Sequence, residues 1–363
     1  MALPTKDQIS IAIEDNNNIL DPSLAGFKTI DGIVGPECYS GGFCLVFPVT
    51  NGSDKYAFRV WHTEIDGIKD RLAKIASYLS SHKSPYFVDF DFVSKGLRVP
   101  TEDSTQDIEA IKMKWVNGKN LSQYLEYLIN ESGLTEDEVK QQISNLADKF
   151  LEMVKTLHGM GISHGDLQHG NIMVDENLNL ILVDYDSVFV PTFAGEIQVT
   201  SGMAAYQHPI RKNGLYEATA KDDYFSERVI YLSLLALAEN PSIWESLKDD
   251  EGEKDEHSLL LTENDIENFT QCALYSTFKK LHNPRIDTLC DDIADALKSA
   301  SPNGMEPIEV LFVDKYGEQP PSVTIDPNDW ADLAPKEPPR YKKNTVSVEP
   351  FDEGAAMDRY SQN

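Results

Sequence analysis

His164-Gly165-Asp166-Leu167-Gln168-His169-Gly170-Asn171, then Ile172-Met173-Val174 and, past a polar break, Leu180-Ile181-Leu182-Val183-Asp184-Tyr185-Asp186, is the stretch on which the reading of this chain turns. It presents Asp166, Asn171 five residues later and Asp184 thirteen residues after that. The apolar runs on either side of Asp175-Glu176-Asn177 read as two strands joined by a hairpin tip. Asn171 stands before the first strand and Asp184 after the second, so the hairpin returns both to the same end. Phosphoryl transfer needs a set of this kind: a carboxylate near the attacking hydroxyl, and oxygen ligands for magnesium on the phosphates.

Upstream, residues 33–62 alternate and are rich in Val, Phe, Tyr and Gly, as strands are. Asn51-Gly52 between Val46-Phe47-Pro48-Val49 and Tyr56-Ala57-Phe58-Arg59-Val60 signals a hairpin. Ile68, Leu72, Ile75 and Leu79 recur at helical spacing, which predicts a helix over 65–79. Further strands are expected over 86–99 and 108–116. From Leu121 the pattern turns helical, with a long helix over 136–160, a strongly apolar one over 223–237, and two more over 263–281 and 288–300. A strand-rich first part and a helix-rich second part imply α+β architecture in two lobes with a cleft between them. The expected division is a lead-in over 1–32 with one weak helix, a first lobe over 33–116, a second lobe over 117–300 and a Pro- and acid-rich tail over 301–363, extended or partly disordered.

The 363 residues carry a formal charge of -28, which argues against a nucleic-acid or anionic-membrane partner. No run of about 18 apolar residues predicts a membrane span. The N-terminus lacks an apolar signal core, and the four cysteines include no Cys-x-x-Cys pair. A cytoplasmic protein with reduced thiols is expected.

Together these features resemble the protein-kinase-like fold over roughly residues 33–300. His164-Gly165-Asp166 has Gly where eukaryotic-type kinases usually carry Arg, a form similar to the aminoglycoside and choline phosphotransferases. Leu157-His158, the 113–121 stretch and Asp223-Tyr224-Phe225-Ser226 look more like bacterial Ser/Thr-kinase relatives. The resemblance implies ATP and Mg2+ as cofactors, Asp166 as the base that orients the acceptor, and Asn171 and Asp184 as metal ligands. It implies a phosphate-covering loop at Ser40-Gly41-Gly42-Phe43, with Arg59 as the cation on the phosphates. Val46 and Ala57 would cover the adenine and Met173 would support it. Met113 would back the pocket, and the backbone of Lys114, Trp115 and Val116 would pair with the adenine edge. Asp223 would brace the catalytic loop.

The departures from that pattern cluster in the first lobe. Arg59 stands in place of Lys, and a planar guanidinium is not interchangeable with an ammonium. Tyr39 and Cys44 stand in place of glycines, and the 65–79 helix contains no Glu. In the second lobe Asp186 replaces the Gly after Asp184-Tyr185. His164 is expected to pack beneath the loop and His169 to be a simple exposed loop residue. The reading is therefore an ATP- and magnesium-dependent phosphotransferase, serine/threonine kinase-like, with a protein substrate or regulatory partner. The alternatives are a pseudokinase that binds nucleotide or acts as a scaffold, and a small-molecule kinase of the aminoglycoside/choline type. Oligomeric state and acceptor are not legible.

Overall fold

A computed structural model describes residues 3–312 except 34, 41–42, 65–66, 102–103, 199, 215, 249–253 and 300. The first lobe is a twisted antiparallel sheet. Its strands are β1 (Lys28–Thr29), β2 (Tyr39–Ser40), β3 (Cys44–Thr50), β4 (Lys55–Trp61), β5 (Phe90–Pro100) and β6 (Thr105–Lys114), in the order β1-β3-β4-β6-β5 with β2 on β3. The β3–β4 turn forms where expected. The Asn51 side-chain oxygen accepts the N–H groups of Ser53 and Asp54 at 2.9 and 2.7 Å, and Gly52 takes φ 92°, which a side chain would resist.

Strand periodicity divides this sheet into two faces. Phe47, Val49, Phe58 and Val60 point outward into a small core closed by Ile9, Ala12, Ile13, Leu24 and Phe27. Those last five lie in the segment read as a lead-in. Helix α1 (Lys6–Glu14), capped reciprocally by Thr5 and Gln8, therefore seals the outer face of the first lobe. A nine-residue helix with only three buried side chains leaves a weak periodic trace, so its packing partner was invisible in sequence. The opposite face carries Val46, Ala57 and Arg59 toward the cleft. Helix α2 (Ile68–Ser81) buries Ile68, Leu72, Ile75 and Leu79, the four residues whose spacing announced it.

The second lobe begins with β7 (Gly118–Asn120), which joins β8 (Ile172–Asp175) and β9 (Leu180–Leu182) in a three-stranded sheet. Helix α3 (Leu121–Glu126) runs into a single π turn over Tyr127–Glu131. Helix α4 (Glu136–Met160) starts at a Thr135–Glu138 capping box and stops at Gly161, which is left-handed at φ 66°. Helix α5 (Tyr224–Glu239) is buried over almost its whole circumference. The expected 263–281 helix is instead two, α6 (Glu263–Glu267) and α7 (Ala273–Lys280). Asn268 ends the first, and the Cys272 thiol caps the second. Helix α8 (Pro284–Lys298) follows.

The first residues of the expected tail pack down. Met305, Ile308 and Phe312 are buried, and Glu309 pairs with His158. The segment over 313–363 lies outside the described residues. One core runs through α2, α4, α5, α8 and the small sheet, so both lobes share it. Among the described residues no helix is long and apolar enough to cross a membrane. The architecture is α+β, an antiparallel first lobe over a helical second.

Candidate active site

Between the lobes lies a cavity of about 710 Å³, within the range of small-molecule sites. Its roof is Val46 and Ala57 on β3 and β4, and its floor includes Met173 on β8. Met113 pairs with Ala57 across the sheet and lines the cavity together with Lys114, Trp115 and Val116. Ser40 and Arg59 line it as well. Phe43 is exposed and does not line it. Its carbonyl accepts the N–H groups of His62 and Thr63 instead. Gly41 and Gly42 lie outside the described residues. A lining dominated by apolar side chains with one polar end suits a flat heteroaromatic ring with a charged appendage.

Of the three oxygen donors read from sequence, Asn171 and Asp184 line the polar end, and Asp166 does not line it but adjoins Asn171. Asn171 donates its amide N–H to the Asp166 carbonyl at 2.8 Å, which leaves its side-chain oxygen available as a ligand. Asp184 faces the same cavity from the end of β9, its side chain half exposed. Asp166 sits beside Asn171, with Oδ2 at 3.5 Å from the amide nitrogen. Its Oδ1 accepts the Met203 N–H at 2.8 Å. Burial pushes the Asp166 carboxyl above its ordinary range, opposed by that N–H.

Beneath this floor Asp223 accepts two backbone donors, from Gly165 at 2.9 Å and from His164. Complete burial moves the Asp223 carboxyl up to about 6. This is the brace that the resemblance implied. His164 is fully buried, its Nε2 at 2.9 Å from the Val183 carbonyl. Gly165 has no alternative. Its φ is +78°, and a Cβ there would stand 2.3 Å from the Ser187 carbonyl oxygen.

His169 corrects the sequence reading. It is 6% exposed rather than a surface loop residue, and its Nδ1 meets the Tyr206 hydroxyl. Burial, with Lys254 adding to it, lowers its pKa to about 4, so it is neutral at physiological pH. Its partner Tyr206 lies 37 residues away in sequence, and local pattern could not show that contact.

The cation side holds the features that sequence reasoning missed. Arg59 forks onto Asp186, touches Asp184 Oδ1 at 3.1 Å with Nη1, and gives its Nε to the Cys44 sulfur at 2.9 Å. Burial pushes the Cys44 thiol up, with Arg59 opposing, which fits a packed strand residue rather than a reactive one. Arg71, 4% exposed on α2, was not singled out at all. Its Nε reaches the Asp186 carbonyl at 3.1 Å, and its Nη2 reaches the Val188 carbonyl at 3.0 Å and Gln198 Oε1 at 3.2 Å. An arginine inside an apolar helical repeat was the available signal.

Among the described residues no cluster of three or more His, Cys, Asp or Glu could hold a metal by protein ligands alone. Magnesium takes about six oxygens and commonly keeps phosphate and water among them, so one carboxylate and one amide oxygen are an adequate protein share. Asp184 and Asn171 fit that share, and the cavity above them fits a nucleoside.

Comparison with known proteins agrees with this geometry. The family model described as the protein kinase domain matches residues 41–299. A segment of 42 residues is 43% identical to the serine/threonine-protein kinase ppk8 of Schizosaccharomyces pombe, covering 12% of this chain and 8% of that protein. The family match extends over most of the chain, and on that ground the chain belongs to the protein kinase domain family.

Proposed function

We propose that the protein is an ATP- and magnesium-dependent phosphotransferase acting on serine or threonine hydroxyls of a protein. The observation that carries this is the meeting of Asn171, Asp184 and Arg59 at one end of an apolar cleft, with Asp166 adjoining Asn171. Magnesium, when bound with the nucleotide, supplies charge neutralisation on the phosphate oxygens. The residues do the rest. Val46, Ala57 and Met173 hold the base between apolar surfaces. Asn171 and Asp184 hold the metal end. Arg59 steadies phosphate oxygens, and Asp166 accepts the hydrogen bond of the acceptor hydroxyl and aims it. Most of the acceleration in such a site comes from position and fixed charge.

The test is transfer from labelled ATP to a mixed protein acceptor, with and without magnesium, in wild type and Asp166→Ala. Removing the aligning carboxylate is expected to reduce the rate by about 10²- to 10⁴-fold. Equal rates in the two proteins would remove the reading.

Two observations favour a second reading, a nucleotide-binding scaffold. Arg59 contacts Asp184 itself, and the Met203 N–H occupies Asp166. Such a protein would melt higher with ATP and show no magnesium-dependent transfer.

A further inference from the structure

Two departures from the family pattern, the Arg at 59 and the acid at 186, are partners in space. Helix α2 offers Arg59 no carboxylate. The α2 side chain that lines the cleft alongside Arg59 is Leu72, fully buried. Asp186 supplies the anion, with both of its oxygens on the two terminal nitrogens of the guanidinium. That fork matches a planar guanidinium and not an ammonium.

Arg71 and Gly165 meet at a common carbonyl, that of Ser187. Arg71 on α2 collects the carbonyls of Asp186 and Val188, with Ser187 at 3.4 Å. The Ser187 carbonyl lies in turn against the Cα of Gly165, in space that any other residue would fill. The Arg71 guanidinium is steadied by the Phe193 ring at 4.4 Å and by Glu196 at 4.0 Å.

We infer that Asp186 and Arg71 are positioning residues for the nucleotide site. Asp186 performs from the Asp184 loop the anchoring of the phosphate-side cation that α2 does not perform, and Arg71 makes that loop an extension of α2. The consequence falls on Asp184. While Asp186 takes the fork of Arg59, the guanidinium meets Asp184 through a single nitrogen on Oδ1, and the Asp184 side chain lines the cleft half exposed. Without Asp186 the fork turns to Asp184 and occupies the oxygens a metal needs. The inference rests on the phosphotransferase reading for the identity of the ligand.

The experiment titrates a ribose-labelled fluorescent ATP analogue onto the full chain while magnesium is varied, for wild type, Asp186→Asn, Asp186→Asn/Leu72→Glu and Arg71→Lys. Asp186→Asn is expected to raise the magnesium concentration for half-maximal nucleotide binding by about 10- to 100-fold, as loss of a residue that orients a ligand does. Leu72→Glu in that background returns a carboxylate to Arg59 from α2, at a distance from the metal, and is expected to bring the value most of the way back. Arg71→Lys keeps every acidic group but cannot clasp several carbonyls at once. It shifts the value in the same direction by a smaller factor.

An unchanged Asp186→Asn, an unchanged Arg71→Lys, or a folded double variant that restores nothing overturns the inference. The last result would make Asp186 itself a metal ligand. If the double variant does not melt cooperatively, Arg71→Lys decides. A wild type that binds the nucleotide analogue weakly and without regard to magnesium overturns the phosphotransferase reading and this inference together. Wild-type binding with unresponsive variants sinks the inference alone.

Discussion

The loop that carries Asp166 and the loop that carries Asp184 run together, bridged at Ser163 and Phe189 and in tight contact at Gly165 against the Ser187 carbonyl, yet opposite charges hold them. An anion grips the first: Asp223 on the buried α5 takes the N–H groups of His164 and Gly165. A cation grips the second: Arg71 on α2 takes carbonyls from 186 to 188. Each grip satisfies buried backbone groups that would otherwise cost about 1–3 kcal/mol apiece. The difference lies in where each grip is rooted. Asp223 belongs to the same lobe as the loop it holds, so that floor is set once the second lobe folds. Arg71 belongs to α2, an element of the first lobe, so the Asp184 loop is set only when the lobes are in register. Lys74 with Glu196 at 3.6 Å, and the Tyr78 hydroxyl on the Met160 carbonyl at 3.2 Å, tie α2 down at the same seam.

The largest test of this comparison is Gly165→Ala, which strikes the contact between the two loops. A left-handed backbone penalty of about 1–2 kcal/mol adds to an overpacking cost of about 1–3 kcal/mol. The expected loss is roughly 4 kcal/mol by urea denaturation. A variant as stable as wild type would show that the loops do not press on each other.

Next in size is the support under the anion-held floor. His158 lies between Glu227 at 2.8 Å and Glu309 at 3.0 Å. Burial disfavours its charge, but the two carboxylates outweigh that and raise its pKa to about 10. A raised histidine contributes stability that is fully present below its unfolded value of about 6.5 and lost as pH climbs through the folded value. Wild type should exceed His158→Gln by about 3 kcal/mol at pH 7, with the gap closing toward pH 10. A gap that stays constant with pH would mean His158 is not held charged.

The smallest effect is expected on the cation-held side. Arg59→Lys keeps the charge but loses the fork onto Asp186, and should weaken magnesium-dependent nucleotide binding by about tenfold with little change in melting temperature. Tighter binding would place Arg59 as a competitor of the metal rather than a helper.

Much of this site was legible because its signals are local. Asp166, Asn171 and Asp184 stand at spacings imposed by one loop and one hairpin, whereas Val46, Ala57 and Met173 came only from the resemblance to the kinase-like fold. The helix at 68–81 announced itself through Ile68, Leu72, Ile75 and Leu79. What stayed hidden depended on partners far along the chain. The burial of His169 needs Tyr206, the role of α1 needs the outer faces of β3 to β6, and the pairing of Arg59 needs Asp186, 127 residues on.

By itself, then, the amino-acid order determined the two-lobed fold, the cleft and the oxygen donors on its floor, because hairpin and helix periodicities act between near neighbours. Only the tertiary structure decided which carboxylate answers Arg59, and that an arginine on α2 holds the loop after Asp184. Ion pairs form between whichever charges the packed core brings within reach, and no spacing along the chain encodes that distance.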